Sequence, residues 1–235
     1  MNQTMRWQSS TPKPYETFVA DMLRHVAAKY NAPECADLKT KVVLCETHDD
    51  WGELWSLAKQ ALNPDRLSTE YKEPPQIQTS SGWVKQNALT LQVVMKNLTT
   101  GRVISADEKV KRQTMIDYGI DADQASALSS FDAVMFVNNT NVKQALRAGL
   151  AFPLHLVLAH ECINIIEQRT GQRIIQGFDA KTMFSDRQSV EAVLELMRRI
   201  AHNEFRHRYL TDEDVEAHAR MARFLKEHHL LGTSR

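Results

Sequence analysis

The 235-residue sequence predicts an α+β fold: a small, mostly antiparallel sheet followed by a C-terminal third that is almost wholly helical. Three observations carry this. Apolar residues recur at steps of four early in the chain. Short apolar or alternating runs lie between residues 42 and 137. No proline follows Pro153, and no glycine lies between Gly177 and Gly232. A single domain over 1–235 is expected, because one core of roughly 100–200 residues is the usual unit.

The elements follow in order. Phe18, Met22, Val26 and Tyr30 form one apolar stripe and predict a helix over 15–30, closed by Asn31 and Pro33. The run Val42-Val43-Leu44-Cys45 predicts a buried strand. Asp49 and Asp50 offer caps for a helix through Leu62 that carries Trp51 and Trp55. Residues 63–82, polar and holding Pro74-Pro75 and Ser80-Ser81-Gly82, predict a surface loop. Leu89, Leu91, Val93 and Met95 alternate with Thr90, Gln92 and Val94, and Val103-Ile104-Ser105 runs back after a turn, which predicts a hairpin. The charged residues 107–118 predict a helix. A strand over 133–137 is closed by an asparagine-rich turn at 138–141. Helices are expected over 153–170, 186–206 and 212–229, with Ser185-Asp186 and Thr211-Asp212 as caps.

Composition removes several functions. Lys plus Arg is 29 and Asp plus Glu is 29, so the chain has no strongly basic grip on nucleic acid as a whole. The three cysteines, Cys35, Cys45 and Cys162, form no C-x-x-C, which argues against a disulfide framework or a thiolate zinc knuckle. Residues 1–14 hold no apolar core of signal-peptide length, and the apolar stretch 148–159 is too short to span a membrane. A cytoplasmic protein without membrane attachment is expected. P-loop, Rossmann and G-x-S-x-G patterns are all missing from the sequence.

The informative stretch is FPLHLVLAHECINIIEQRTG, residues 152–171. Apolar residues surround this helix on every side, so it belongs in a core. His160 and Glu161 nevertheless sit at its centre, and an unpaired buried carboxylate costs several kcal/mol or takes up a proton. A metal, a cleft open to water or a buried basic partner must satisfy them.

A strand ending in Asn, a short linking helix and an apolar run into Ala159-His160-Glu161 resemble the zincin metallopeptidases over roughly residues 89–200. The resemblance implies zinc held by His160, with Glu161 as the general base that polarises the metal-bound water. In the glutamate-zincin branch a carboxylate from a later helix is the third ligand, which here implies Glu191 or Glu195. The pattern departs at Asn164, which stands where the family has its second histidine, four residues after the first. An amide oxygen is a poor zinc ligand beside imidazole. His155 lies nearly opposite on the helix, and Glu167 is about 10 Å further along the axis. Three readings stay open: His202 or His207 supplies the second imidazole, the metal is not zinc, or the site is vestigial.

The C-terminal third adds Glu204-x-x-His207, a spacing used in di-iron bundles, but no second such motif accompanies it. Arginines 198, 199, 206, 208, 220 and 223 interleave with acidic residues, as on an ion-paired surface. Two functions are therefore expected to compete. One is a zincin-like metal-dependent peptidase, or its degenerate non-catalytic relative, acting on protein or peptide. The other is a non-enzymatic binding or regulatory protein that docks a protein or nucleic acid through its C-terminal helices.

Overall fold

The computed structural model describes residues 13–45, 121–147, 152–175 and 186–227, the strand segments 76–79, 82–85, 88–92, 95–96 and 103–104, and residues 109, 112, 113 and 116. The helix expected over 49–62, and residues 63–75 of the expected loop, lie outside the described residues. Of 107–118 only Lys109, Arg112, Gln113 and Ile116 are described, each helical.

Helix α1 (Lys13–Lys29) buries two adjacent rows, Phe18, Met22 and Val26 beside Val19, Leu23 and Ala27. Asn31, at φ 54°, turns the chain into a 3₁₀ turn, Pro33–Cys35, whose Cys35 is buried. Strand β1 (Thr40–Cys45) follows. Strands β2 (Gln76–Thr79) and β3 (Gly82–Lys85) form an antiparallel pair, so the expected loop over 63–82 is corrected at 76–79. β4 (Ala88–Gln92), β5 (Met95–Lys96) and β6 (Val103–Ile104) come next. The expected hairpin forms between β5 and β6, whereas β4 joins a different sheet.

After α2 (Ala122–Leu128), capped by Asp121, strand β7 (Ala133–Asn138) lies at the centre of a three-stranded sheet, order β1-β7-β4. The β1·β7 pair is parallel, from Thr40 opposite Ala133 to Cys45 opposite Asn138, and β4 runs antiparallel on the other side. The mostly antiparallel sheet that was expected is thus corrected, its longest pairing being parallel. The physical reason is legible afterwards. Val42 and Val43 are both buried, as are Ala133, Val134 and Met135 in succession, so these strands are covered on both faces. Continuous apolar runs of that kind suit parallel strands.

The asparagine run does not form a turn. Helix α3 (Asn139–Arg147) starts directly from β7 with Asn139 and Asn141 buried. Asparagine favours helix starts as much as turns, so the local signal was ambiguous.

Helix α4 (Pro153–Thr170) is the expected central helix. Phe152 at φ 62° leads into Pro153, and Gly171 at φ 75° ends it, a position where a Cβ would be strained. Leu154, Val157, Leu158, Ala159, Cys162, Ile163, Ile165 and Ile166 are buried, and Leu156 is half-buried. The helix packs against α1, β4 and the helix after it. Glu167 Oε1 accepts from the Ile174 and Ile175 N–H groups at 2.5 and 2.8 Å, which fixes the chain beyond its end.

The expected helix over 186–206 is two helices, α5 (Arg187–Arg199) and α6 (His202–Tyr209), broken at Ile200 and Ala201. No glycine or proline marks the break. It lets Phe205 and Tyr209 turn fully into the core against α1, so packing overrides local propensity. Helix α7 (Asp212–Glu227) closes the described chain, opened by a reciprocal cap. Thr211 N donates to Asp214 Oδ2 at 2.9 Å, and Asp214 N donates to Thr211 Oγ1 at 3.3 Å. Among the described residues no helix is long and apolar enough to cross a membrane.

Candidate functional site

Helix α4 carries His160 on the side where α5 begins, with Glu161 next to it in the chain. Asp186, the N-cap of α5, accepts from Ser189 N at 2.7 Å and from Ser189 Oγ at 2.8 Å. Its Oδ2 also lies 2.5 Å from His160 Nδ1. One carboxylate therefore caps one helix and ties it to another. Burial works against charge on Asp186, but the donors from His160 and Ser189 hold its carboxyl down to about 2. Burial likewise works against a charged His160. The Asp186 hydrogen bond and the charges of Glu161, Asp186 and Glu167 outweigh it and push the imidazole up. The result is a mostly buried carboxylate–imidazole pair that favours the charged ring, with exposures of 3% for Asp186 and 25% for His160.

Glu161 is buried, 4% exposed, and Asn164 Nδ2 donates to its Oε2 at 3.5 Å from one turn on. The residue at the place of the second histidine therefore turns its amide nitrogen to the carboxylate expected to be the base. The expected third ligands point elsewhere. Glu191 accepts from Arg187 Nε at 2.7 Å on an exposed face. Glu195 accepts from Lys29 Nζ at 3.0 and 2.9 Å and meets His25 Nε2 at 3.1 Å, which fastens α5 to α1. Those donors, Lys29 first, hold Glu195 below the usual carboxylate range.

His202 and His207, the candidate replacement imidazoles, are both exposed on α6. Among the described residues no three His, Cys, Asp or Glu side chains are grouped to hold a metal ion. Of the expected ligands, His160 is engaged by Asp186, Asn164 by Glu161, Glu191 by Arg187, and Glu195 by Lys29 and His25, while His202 and His207 are exposed. What the arrangement does hold is a proton. With Asp186 fixing the hydrogen on Nδ1, the His160 ring keeps Nε2 as its exchangeable position.

Sequence reasoning named Asp186 only as a cap, because a cap signal says nothing about a partner 26 residues away. It also missed His25 and Lys29 as partners of Glu195. His155, which the helical wheel put nearly opposite His160, lies in a separate aromatic box. Its ring centroid is 4.8 Å from Phe18, 5.7 Å from Tyr15, 6.0 Å from Phe152 and 6.3 Å from Phe205. Compared with known protein families, curated proteins and solved structures, the chain matches none.

Proposed function

We propose that the chain is a degenerate, non-catalytic relative of the zincin-like metallopeptidases that works in the cytoplasm as a binding or regulatory protein for a protein or peptide partner. One observation carries the reading. The histidine of the Ala159-His160-Glu161 helix is held by the cap of the following helix, while Asn164 stands in the second-histidine place and bonds Glu161. The His-Glu helix then serves as an ion-paired joint between α4 and α5 rather than as a metal centre. The element order, from β7 through a linking helix to the His-Glu helix and a carboxylate-bearing helix, supports the ancestry.

Metal content and calorimetric zinc titration of the full chain test this. No stoichiometric zinc, no peptide hydrolysis and a cooperative fold in chelator are expected. About one equivalent of zinc that is lost in His160→Ala would restore the peptidase reading instead.

A nucleic-acid partner is favoured by a separate observation, the exposure of Arg198, Arg199 and Arg223 on α5 and α7. Arg208 and Arg220 are engaged with Glu204 and Glu216. Steeply salt-dependent binding of a labelled oligonucleotide, weakened in Arg198→Ala/Arg199→Ala, would select that reading.

A further inference from the structure

The inward side of α4 holds a second polar cluster, unrelated to His160. His155 is fully buried, and its Nε2 lies 2.9 Å from the carbonyl oxygen of Tyr209. A carbonyl only accepts, so Nε2 carries the hydrogen, and Nδ1 of the neutral ring is an acceptor. Asp214, in the first turn of α7, is also fully buried. Its Oδ2 accepts from Thr211 N at 2.9 Å, Thr211 Oγ1 at 2.7 Å and the Tyr15 hydroxyl at 3.3 Å.

His155 Nδ1 and Asp214 Oδ1 are both buried, and neither has a hydrogen-bond partner among the described residues. Tyr15 connects the two, its ring edge against His155 and its hydroxyl on Asp214. Two buried acceptors beside one phenol require a donor that the described side chains do not supply, since each unpaired polar atom costs about 1–3 kcal/mol. A single water, with two hydrogens to give, is the smallest group that meets both.

We propose that one internal water donates to His155 Nδ1 and to Asp214 Oδ1, and that this bridge is a proton-sensitive latch fastening α6 and α7 to α1 and α4. Proton uptake at Nδ1 removes the acceptor and places a cation among aromatic rings. The other groups facing His155 are few. From α1 come Phe18 and the Tyr15 phenol, and from α6 come Phe205 and the backbone carbonyl of Tyr209. Phe152 precedes α4, and from α7 comes Asp214. Tyr209 turns its hydroxyl to Asp21 on α1. Asp214 attracts an imidazolium, yet burial is the larger influence and holds His155 below its ordinary range. The latch therefore closes at neutral pH and loosens in acid.

Nitrogen-15 spectra of the histidine rings in the intact protein test the first half. At pH 7.5 His155 should be the neutral tautomer with hydrogen on Nε2, with a long-lived water cross-peak to its ring. A charged ring, hydrogen on Nδ1 or absence of that water signal would overturn the proposal.

Hydrogen exchange of the α7 amides from Val215 to Ala217 tests the second half. After correction for intrinsic exchange, protection should fall with pH below ~6.5, approaching about tenfold per pH unit for one proton. His155→Gln keeps a donor for the Tyr209 carbonyl and does not titrate, so its protection should be flat across the same range. A slope as steep as that of the parent chain would refute the latch. Should this variant fail to fold, the parent ring decides: a His155 midpoint at or above ~6.5 refutes it, and a lower one supports it.

Discussion

His155 and His160 stand five residues apart on α4, yet their surroundings push them in opposite directions. His155 faces Phe18, Phe205 and a carbonyl, and burial favours its neutral form. His160 faces Asp186, with Glu161 and Glu167 nearby, and is favoured as a cation. Chemistry follows the facing element, not the residue type. The helix presents one histidine to the α6–α7 pair and the other to the start of α5, so a single pH change should act on the two junctions with opposite sign.

The strongest way to break this contrast is to remove Asp186. Asp186→Ala leaves a largely buried imidazole without its partner, Ser189 without its acceptor, and α5 without its cap. Removing one partner of a buried pair costs about 3–5 kcal/mol, and losing the cap is a separate cost of about 1 kcal/mol. Urea denaturation at pH 6 should show a loss in that range. Asp186→Asn, which keeps a capping oxygen but no charge, should lose less. An undiminished stability in Asp186→Asn beside a full loss in Asp186→Ala would mean that the cap alone matters and that His160 is a bystander.

The next effect is in the pH dependence of His160→Gln. A group whose folded value is raised contributes stability that is fully present below its unfolded value, ~6.5, and is lost as pH rises through the folded value. The variant should therefore differ most from the parent near pH 6, by about 1–2 kcal/mol, and progressively less as pH rises through the folded value. His155→Gln should do the reverse, because a lowered group forfeits stability as pH falls through ~6.5. Parallel melting curves at pH 5.5, 7 and 8.5 check both signs. The same sign in both variants would dissolve the comparison.

What was legible in the sequence divides along similar lines. α1, β1, β7, α4 and α7 each carry a local periodic or apolar signal, and the structure has them with only small shifts of boundary. Strand direction was not legible, because an apolar run such as Ala133-Val134-Met135 states burial and not orientation. The break between α5 and α6 was hidden because no local residue demands it; Phe205 and Tyr209 demand it from a distance. At the candidate site, His160 and Glu161 stood out as polar residues within an apolar helix, and the need for a partner followed from the cost of burial. Which carboxylate would answer could not be read from spacing. Three acidic residues, Asp186, Glu191 and Glu195, lie on or at the cap of one later helix, and only the packing angle of α5 selects among them.

Asn164→His sharpens the contrast with less cost. It puts a second imidazole one turn from His160, at the spacing that zinc sites use, and removes the hydrogen bond to Glu161. Asn164 is only half-buried, so a stability loss of about 1 kcal/mol is expected. Calorimetric titration should show zinc affinity above that of the parent. Asp186 would favour this, since a carboxylate on Nδ1 orients an imidazole to bind through Nε2. Destabilisation without zinc uptake would count against a zincin-derived helix.

The smallest expected effect is at the other end of α5, where Lys29 and His25 hold Glu195. Here Glu195 is 38% exposed and Lys29 27%, against 3% for Asp186. Exposed pairs contribute about 0–1 kcal/mol, since water already solvates both charges and two long side chains must be ordered. Lys29→Ala should therefore cost no more than about 0.5 kcal/mol in dilute buffer, with His25 still in place. Salt then separates the two ends of the helix. At 1 M salt the screening length is about 3 Å, so the Lys29→Ala difference should vanish there. The Asp186→Ala difference should largely persist, because ions cannot enter between a buried carboxylate and the ring on top of it. Denaturation in urea at low and high salt reads both. If the Asp186 loss also disappeared with salt, the His160 junction would be a surface ion pair, and its contrast with His155 would be one of exposure alone.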